Sequence, residues 1–405
     1  MSTTKPEILF VSHKYPPATG GMEKQSYELI QGVSVLSKVH YLVYKKGKGS
    51  LLRFFWSLNK QILQLLKAHP GIQLIHFNDG LLAAVALFHR GYAHIKRAVT
   101  IHGLDVVFPL PYFQQHILPK FNRYDLIIAV SEATAQAAIA RGIQPEKVQV
   151  INNGVDRQLA QQGLSRELLA QRYPVLQTGK PYMLTLGRPV KRKGFSWLLD
   201  KVWRDMPGDV LLLMVGPFQQ RAPLSEKLLQ LLPRSWRHLL SLFLGYPSDA
   251  RAIRKLLRDP QLAPRLQHLG KVPLAELQAL LAHASAFLMP NIEVPGDMEG
   301  FGLVCLEASL AGSLVLAART EGICDAIRHQ QNGLLLPSGD AQAWKAQLQQ
   351  VFAAPAYYNQ QRQAFQAYSA AHYSWEEMAQ AYLVAFQGCC QPSLSASGAA
   401  ARQAI

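Results

Sequence analysis

The sequence predicts an α/β protein of two Rossmann-like domains, each a parallel sheet covered by helices. Its length of 405 residues favours two domains, because a domain holds about 150 residues on average. Short β-branched and apolar runs alternate with longer segments of helical period. These runs are apolar along their whole length, as strands are when helices bury both faces of a parallel sheet. Two such domains facing each other would enclose a deep cleft, and ligands would bind there beyond the carboxyl ends of the strands.

Six strands are expected in each half of the chain. In the first half they are Ile8–Val11, Val39–Val43, Gln73–Phe77, Ala98–Ile101, Leu126–Val130 and Val148–Ile151. In the second half they are Tyr182–Leu186, Val210–Val215, Leu266–Leu269, Ala286–Met289, Leu314–Ala317 and Gly333–Leu336.

The boundary between the two domains falls near residues 164–181, where Gln, Gly and Pro residues precede a new apolar run. The chain ends in a run of small residues of low complexity, which is typical of disorder. We therefore expect four parts: an N-terminal domain over residues 1–170, a C-terminal domain over 171–375, a helix over 376–390 that packs back on the N-terminal domain, and a disordered tail over 391–405.

The charge of the chain indicates an anionic partner. It carries 42 Lys and Arg residues against 26 Asp and Glu residues, a formal net charge of +16. A nucleic acid, a phosphorylated substrate and an acidic membrane surface all fit this excess. No signal peptide is recognisable, and the apolar runs stop well short of the ~20 residues of a membrane span. The four cysteines form no C-x-x-C pair, so a reducing compartment without a structural metal is expected.

Two loops that follow strands carry groups suited to phosphate. Gly20 and Gly21 open a helix after the first strand, where backbone N–H groups and the helix dipole favour an anion. A flexible turn is the alternative. After the first strand of the second domain come four cations that could neutralise a diphosphate leaving group, namely Arg188, Lys191, Arg192 and Lys193. The alternative there is a solvated basic turn.

The strongest signal lies in residues 299–312. Glu307 falls inside the apolar stripe of a helix, a stripe formed by Leu303, Leu306 and Leu310. A buried carboxylate is costly unless it is paired, so Glu307 should accept bonds from ligand hydroxyls or from a buried cation. A structural ion pair is the alternative. Glu299 precedes the helix on a loop where Gly300 and Gly302 free the backbone N–H groups to face a ligand.

Residues 299–312 read Glu-Gly-Phe-Gly-Leu-x-x-x-Glu-Ala-x-x-x-Gly, which resembles the signature of retaining GT-B glycosyltransferases of the large family 4 type. Other motifs agree with that family in order and spacing: Gly20-Gly21-x-Glu23, Thr100-x-His102-Gly103, Ala129-Val130-Ser131-Glu132, Asn152-Asn153-Gly154-Val155-Asp156, Gly187-Arg188 with Lys193-Gly194, and Asn332-Gly333-Leu334-Leu335. The resemblance covers about residues 7–387. It implies a GT-B fold, in which two facing Rossmann-like domains enclose a deep interdomain cleft. The N-terminal domain, residues 1–170, would bind the acceptor, and the C-terminal domain, residues 171–375, would bind the nucleotide sugar.

The resemblance implies catalytic roles for four positions, His102, Arg188, Lys193 and Glu299. Arg188 and Lys193 would clamp the diphosphate as it departs, and Glu299 would grip the sugar as a positioning residue more than as a base. His102 would reach the donor sugar near its 6-hydroxyl from the first domain. A lone histidine after a strand is more often a packing residue, but the flanking Thr100 and Gly103 favour the catalytic role.

The same resemblance implies a donor-binding group. Glu307 would hold the ribose hydroxyls, and Gly20 and Gly21 would lie against the phosphates or the acceptor. The backbone of three residues would grip the sugar and a phosphate oxygen, namely Phe301, Gly302 and Leu303. The family is thought to retain the anomeric configuration by front-face displacement, with the departing phosphate helping to deprotonate the acceptor. No Asp-x-Asp is present, so neither a metal nor a cofactor is indicated besides the nucleotide-sugar co-substrate.

One loop departs from the family pattern. Residues 320–325 read Thr-Glu-Gly-Ile-Cys-Asp, where relatives usually show paired glycines and then a glutamate. Glu321 adds a negative charge near the expected sugar site, and Asp325 shortens the carboxylate. The departure bears on the geometry of the donor sugar and not on the reaction class.

Two basic stretches carry most of the remaining charge. Residues 41–70 hold six Lys and Arg residues and no acidic one, with Phe, Trp and Leu residues at helical spacing. They predict a basic amphipathic helix that docks on an anionic membrane surface, or a helix that only covers the first sheet. A second basic stretch, residues 221–265, could contact a membrane, an anionic acceptor or solvent.

We therefore expect a retaining, metal-independent hexosyltransferase. It would move a hexose-type sugar from a nucleotide-diphosphate sugar to a lipid-linked, lipopolysaccharide-type or polysaccharide acceptor of the cell envelope. It would work in the cytoplasm, peripheral on the inner face of the plasma membrane. One alternative is a GT-B nucleotide-sugar 2-epimerase, which needs no acceptor. The other is a basic nucleic-acid-binding protein, but no recognisable binding module supports it, so nucleic acid is not expected as a partner.

Overall fold

The computed structural model describes residues 5–47, 49–160, 163–219, 233, 240 and 248–391. The first sheet consists of β1 (Glu7–Ser12), β2 (Val39–Val43), β3 (Ile72–Phe77), β4 (Lys96–Ile101), β5 (Leu126–Ala129) and β6 (Val148–Val150). Its strands are parallel, in the order β2-β1-β3-β4-β5-β6. The helices of this half are α1 (Gly21–Leu36), α2 (Leu51–Ala68), α3 (Gly80–Ala86), α4 (Leu104–Val107) and α5 (Glu132–Ile139).

The second sheet consists of β7 (Tyr182–Leu186), β8 (Leu211–Val215), β9 (Leu266–Gly270), β10 (Ala286–Met289), β11 (Val315–Arg319) and β12 (Leu334–Pro337). It is also parallel, in the order β12-β11-β10-β7-β8-β9. The helices that follow β6 are α6 (Arg166–Arg172), α7 (Phe195–Trp197), α8 (Ala250–Leu256), α9 (Leu274–His283), α10 (Leu303–Leu310), α11 (Ile323–Ala326), α12 (Ala341–Ala353), α13 (Pro355–His372) and α14 (Trp375–Cys390).

Short helical turns connect these elements. Two are π-helical, Phe113–Ile117 and Leu198–Val202. The others are 3₁₀ turns, Leu118–Arg123, Pro145–Lys147, Arg157–Ala160, Pro174–Thr178, Lys191–Lys193, Trp203–Asp205 and Ala263–Arg265.

Every predicted strand is present, so the prediction of an α/β protein with two Rossmann-like domains is confirmed. The reason is the burial of both faces of each sheet. Ile8 and Phe10 of β1 pack in one cluster with α1 and α14, whereas Leu9 and Val11 pack in another with α2, α3 and α5. Neighbouring residues of one strand therefore both need apolar side chains, and the sequence shows this as an uninterrupted apolar run.

The last helix, α14, packs against α1 of the first half although it follows the second sheet. The Ser374 hydroxyl caps this helix by accepting a hydrogen bond from the Glu377 backbone N–H at 3.0 Å, which is one half of a capping box. The buried Tyr382 hydroxyl hydrogen-bonds Gln25 at 3.3 Å and Thr100 at 3.1 Å. These bonds tie the end of the described chain to the first sheet.

Helix α2 covers the first sheet with one face and leaves large apolar side chains on the other. Phe54, Leu58 and Ile62 are buried against the sheet. Leu52 is 74% exposed and Trp56 is 90% exposed. The structure therefore shows that α2 covers the first sheet, and membrane docking of residues 41–70 stays a prediction.

Two stretches singled out in the sequence lie largely outside the described residues. Of the basic stretch 221–265, the structure describes residues 233, 240 and 248–265, and of the expected tail 391–405 only Gln391. Within the parts of the chain that the structure describes, none of the helices combines the length and the apolar composition that crossing a bilayer requires.

Candidate active site

The site lies where the carboxyl ends of the two sheets meet across the cleft. The loop after β4 carries His102 and Gly103, and the loop before α10 carries Gly300. A Cβ added at Gly300 would lie 2.3 Å from the His102 carbonyl oxygen, and one added at Gly103 would lie 3.0 Å from the Gly300 Cα. The Thr134 hydroxyl of α5 also donates to the Gly300 carbonyl oxygen at 3.5 Å. The two domains therefore touch at backbone distance, which places the His102 loop beside Glu299.

Lys193 and Glu299 form a buried ion pair at the centre of the site. Lys193 Nζ lies 2.6 Å from Glu299 Oε2, and Arg192 NH1 lies 3.5 Å from the same oxygen. The Asn291 amide donates to Glu299 Oε2 at 3.3 Å. Burial opposes ionisation of Glu299, but Arg192 and Lys193 outweigh this and lower its pKa to about 2. Glu299 is thus a permanent anion, too weak a base to take a proton near neutral pH.

Gly194 sets the position of Lys193. Its φ is +65°, in the left-handed region, and a Cβ there would lie 1.9 Å from the Pro290 carbonyl oxygen. Only glycine lets the turn Lys191–Lys193 press against the loop after β10 so closely. The contact holds Lys193, which follows β7, close to Glu299, which follows the neighbouring strand β10.

Two other cations of the basic loop, Arg192 and Arg188, interact with Asp297. Arg192 Nε lies 3.3 Å from Asp297 Oδ1 and donates to the Met298 carbonyl oxygen at 3.3 Å. The positive charge of Arg188 also acts on Asp297. The alternative of a solvated basic turn is therefore wrong for Arg192 and Lys193, because acidic side chains of the loop before α10 pair with both, whereas Lys191 is exposed.

Glu307 pairs with a cation from the other domain. Lys24 Nζ of α1 lies 2.7 Å from Glu307 Oε1 of α10, and the Glu307 side chain is 18% exposed. Glu307 therefore pairs with a cation, as expected of a carboxylate in this stripe, but its side chain is partly and not fully buried. Lys24 also lies 5.9 Å from the ring centroid of Trp375. The pair joins helices of the two sheets at the edge of the cleft.

Gly20 and Gly21 lie one turn before Lys24, so they face the part of the cleft that Glu307 reaches. Gly21 is the first residue of α1, and Gly20 caps it without a side-chain hydrogen bond. A Cβ at Gly20 would lie 2.3 Å from Glu23 Oε2. The Glu23 carboxylate therefore folds back over this helix start, where an anionic ligand was expected.

At the start of α10, backbone N–H groups and not side chains are available to a ligand. Gly302 caps the helix with a φ of +83°, and as a glycine it offers no side chain to the first N–H groups. Phe301 is 3% exposed and Leu303 is 8% exposed. Any ligand contact at these three positions would come from backbone N–H groups, as the resemblance implies.

The imidazole of His102 is fixed by the first domain. Its Nε2 lies 2.9 Å from the Asn78 carbonyl oxygen, which can only accept, so Nε2 carries the proton. The His102 backbone N–H donates to Asp105 Oδ2 at 3.0 Å. In this tautomer Nδ1 is the acceptor nitrogen of the ring.

The sequence did not predict a place in the site for four charged or titratable residues, namely Lys24, Asp297, His13 and Asp79. His13 Nδ1 lies 2.8 Å from Asp79 Oδ2, and both side chains are buried at the ends of β1 and β3. The sequence could have predicted this pair, because both residues follow predicted strands of one parallel sheet and the carboxyl ends of such strands lie side by side. Lys24 gives no such signal, since its partner is 283 positions away in the chain.

The loop 320–325 makes contacts that explain its unusual residues. Asp325 Oδ1 accepts from the Glu132 backbone N–H at 3.0 Å and from the Asn152 amide at 3.3 Å, both in the first half of the chain. Glu321 has a φ of +47° and accepts the Glu299 backbone N–H at 2.6 Å. Asp325 thus links the domains, and Glu321 holds the Glu299 loop.

We expect Glu321→Gln to alter the pH dependence of stability. Burial, with the charges of Glu299 and Asp297, raises the pKa of Glu321 to about 7, although the Glu299 N–H and Arg192 oppose this. Its ordinary value is 4.5, so the folded state keeps a proton that the unfolded state has lost, and stability falls as the pH rises through this window. The uncharged Gln keeps an acceptor oxygen, so the variant should be more stable by about 1–3 kcal/mol at about pH 8.

Urea unfolding at a series of pH values measures this difference, which should vanish near about pH 4 because Glu321 is then protonated in both states. A constant difference at all pH values would contradict the assignment. The exposed Glu293→Gln serves as the matched control and should follow the wild type throughout.

Two facing Rossmann-like domains, with charged side chains gathered at the carboxyl ends of both sheets, define the GT-B architecture. A family model described as Glycosyl transferases group 1 matches residues 170–370, and one described as Glycosyltransferase Family 4 matches residues 9–159. The chain belongs to the GT-B glycosyltransferases of the group 1/family 4 type.

Individual relatives agree with this family. Amylovoran biosynthesis glycosyltransferase AmsK of Erwinia amylovora is 24% identical over 284 residues, which are 68% of this chain and 60% of that protein. The chain therefore matches less than two thirds of the length of AmsK. The GDP-mannose-dependent alpha-(1-6)-phosphatidylinositol monomannoside mannosyltransferase of Mycobacterium tuberculosis is 23% identical over 358 residues, which are 81% of this chain and 84% of that protein.

Among solved structures, Anabaena Alr3699/HepE in complex with UDP-glucose superposes with a TM-score of 0.71 at 19% identity, over 94% of this chain and 99% of that one. The lipopolysaccharide outer core galactosyltransferase WaaB superposes with a TM-score of 0.60 at 16% identity, over 94% and 99% of the two chains. At these identities the likeness establishes the fold.

Proposed function

We propose that the protein is a retaining, metal-independent glycosyltransferase that moves a hexose-type sugar from a nucleotide-diphosphate sugar to a lipid-linked, lipopolysaccharide-type or polysaccharide acceptor. The observation that carries this proposal is the buried pair of Lys193 and Glu299, 2.6 Å apart, at the cleft edge of the second sheet. It lies beside the His102 loop of the first sheet. Family membership supports the reaction class, and the pair supports the way in which the donor is held.

Lys193 is suited to stabilise the leaving group. As the bond between the anomeric carbon and the diphosphate breaks, negative charge builds up on the departing oxygen. An ammonium has three N–H donors, and Glu299 accepts one of them, so Lys193 is held in position while it contacts a phosphate oxygen. Because the cation is fixed before the reaction begins, it stabilises the charge without reorganisation, and a divalent metal is not required for this role.

The state of Glu299 supports retention by front-face displacement. With a pKa of about 2 and its Oε2 engaged by Lys193 and Asn291, Glu299 is suited neither to deprotonate the acceptor nor to move toward the anomeric carbon. We therefore assign the acceptor proton to the departing phosphate. His102 Nδ1 is assigned to a donor-sugar hydroxyl, and Glu307 to the ribose.

The names of the relatives support a hexose donor and an envelope-type acceptor. AmsK is named for amylovoran biosynthesis, and the mycobacterial relative for mannosyl transfer from GDP-mannose to a phosphatidylinositol mannoside. The Anabaena structure contains UDP-glucose. We propose UDP-glucose and GDP-mannose as the first donors to test.

The test is nucleoside diphosphate release from UDP-glucose, GDP-mannose and UDP-N-acetylhexosamines, with and without envelope glycolipid as acceptor. We expect one donor to be used, release to rise with acceptor, and excess EDTA to leave the rate unchanged. NMR of the product should show the anomeric configuration of the donor. Epimerised sugar formed from donor alone would instead identify a 2-epimerase and overturn the proposal.

We also propose that α2 docks the enzyme on the inner face of the plasma membrane. Leu52 and Trp56 present apolar surface, at 74% and 90% exposure, and residues 41–70 carry positive charge without a negative one. An aromatic side chain with neighbouring cations suits the interface of an anionic bilayer. The net charge of +16 acts in the same direction.

Trp56→Ser should weaken binding to vesicles of phosphatidylglycerol about tenfold, because the variant loses one large interfacial side chain. Sedimentation of vesicles with bound protein measures the effect, which should be absent on neutral phosphatidylcholine. Tyr357→Ser removes an aromatic residue that is 56% exposed on α13 and serves as the control. Equal vesicle binding by Trp56→Ser and the wild type would refute docking through α2.

A further inference from the structure

A buried pair of titratable side chains lies at the carboxyl end of the first sheet, apart from the groups assigned to the donor. His13 follows β1 and Asp79 follows β3, and His13 Nδ1 lies 2.8 Å from Asp79 Oδ2. The two side chains are 7% and 1% exposed. Because the carboxyl ends of the strands face the cleft, the pair lies at the floor of the cleft on the side of the first domain.

Two consecutive residues after β3 hold two imidazoles. The Asn78 carbonyl oxygen lies 2.9 Å from His102 Nε2, and the carboxylate of the next residue, Asp79, pairs with His13. In the sheet, β1 and β4 are separated only by β3, so their ends lie about 10 Å apart. A ligand at His102 is therefore close enough to meet a second ligand at His13.

Asp79 fixes the tautomer of His13. Burial opposes ionisation of Asp79, but His13, the Leu82 backbone N–H and His102 outweigh this and lower its pKa. Asp79 Oδ1 accepts from the Leu82 N–H at 2.9 Å and caps α3, while Oδ2 faces His13. Two lone pairs would repel each other at 2.8 Å, so Nδ1 carries the proton and the neutral ring presents Nε2 as an acceptor.

The surroundings of His13 suit a neutral hydroxyl. The exposed 7% of the side chain leaves Nε2 accessible, since Nδ1 is the ring nitrogen that is fully buried. Nε2 has no hydrogen-bond partner in the part of the chain that the structure describes, and the Phe55 ring of α2 lies 5.4 Å away between ring centroids. The buried Asp79 carboxylate would repel a phosphate, whereas a sugar hydroxyl can donate to Nε2 without adding charge.

We propose that His13 Nε2 binds the acceptor sugar by accepting a hydrogen bond from a hydroxyl other than the one that attacks. Asp79 is the positioning residue that keeps Nε2 unprotonated. The inference rests on the proposed function and narrows its acceptor to a glycan or glycolipid that ends in a sugar, as opposed to a bare lipid phosphate. The attacking hydroxyl is not assigned to His13. As its oxygen bonds to the anomeric carbon and the bond from that carbon to the diphosphate breaks, its proton passes to the departing phosphate.

Two substitutions of His13 separate ligand binding from structure. In His13→Asn the amide nitrogen can take the place of Nδ1 beside Asp79, but nothing replaces Nε2. In His13→Gln an amide oxygen can reach the place of Nε2, but Asp79 loses its partner. The apparent KM for an envelope glycolipid extract should rise about tenfold in His13→Asn and about threefold or less in His13→Gln. Urea unfolding should give the opposite order, with His13→Gln the less stable variant.

Release of nucleoside diphosphate without acceptor should stay within about twofold of the wild type in both variants, because it depends on the donor alone. His94→Asn, at an exposed histidine of the same domain, is the control and should keep the wild-type KM. A wild-type KM in His13→Asn, KM values that follow stability, or equal losses with and without acceptor overturn the assignment and leave the proposed function standing. An inverted product would make His13 a base for the attacking hydroxyl and overturn both. So would the absence of release by the wild type from every donor.

Discussion

Lys193→Met should lower kcat for sugar transfer by about 10²–10³-fold, because it removes a fixed cation from the leaving group. The same change leaves Glu299 buried, with Arg192 at 3.5 Å as its cationic neighbour. Breaking one side of a buried ion pair is costly, so the free energy of unfolding should fall by about 3 kcal/mol. Loss of activity in this variant alone would therefore not separate chemistry from folding.

The double variant Lys193→Met with Glu299→Gln separates the two effects. It replaces the charged pair with neutral side chains of similar size, so no unpaired charge is left and most of the lost unfolding free energy should return. The rate of nucleoside diphosphate release should stay low, because the cation is still missing. Urea unfolding and release from UDP-glucose or GDP-mannose measure the two quantities. Lys271→Met, at an exposed lysine of the same domain, is the control. Wild-type turnover in the double variant would refute the role of Lys193.

Gly300→Ala should reduce kcat by about 10²-fold while the stability changes by less than about 1 kcal/mol. A Cβ at this position would lie 2.3 Å from the His102 carbonyl oxygen, so the two loops must move apart. The sheets and their covering helices are not touched by this change. The rate of sugar transfer should fall because His102 of the first domain and Glu299 of the second are no longer held at the correct distance around the sugar.

The affinity for UDP or GDP, measured by calorimetry, should change little in Gly300→Ala, because the side chains assigned to the ribose and the diphosphate, Glu307 and Lys193, do not contact the His102 loop. Gly208→Ala is the matched control, since a Cβ there has nothing within 4 Å. If Gly300→Ala turned over donor and acceptor like the wild type, close approach of the His102 loop would not be needed for catalysis. A collapse of stability would point to a structural role for the contact.

The sequence predicted the strands because their physical requirement is local. A strand of a helix-covered parallel sheet needs an apolar side chain at every position, as Leu211–Val215 shows with all five residues buried. The turn glycines can be recognised for a similar reason. A positive φ, as at Gly194 and Gly302, is a requirement of one residue that glycine meets best, so the glycine itself marks the position in the sequence.

The partners of the charged residues could not be predicted in this way. Glu307 was expected in a buried stripe, and its environment depends on α1, where Lys24 lies 2.7 Å away. Likewise, a run of four cations in the sequence does not reveal that Lys193 turns inward to Glu299. Pairing energies depend on the distance and burial of both charges. These are set by how the two domains face each other for Lys24 and Glu307, and by how two loops of the second sheet meet for Lys193 and Glu299.

By itself the sequence determined the two α/β domains, the glycines that shape the loops and the positions of the signature glutamates. Periodicity and backbone conformation are encoded within a few neighbouring residues, so these features follow without a fold. The tertiary structure alone decided that Gly300 meets His102, that Asp325 holds the two halves together, and that Glu321 rests on the Glu299 loop. Each of these contacts joins residues distant in sequence. The first two depend on the approach of one domain to the other, and the third depends on how two loops of the second domain meet.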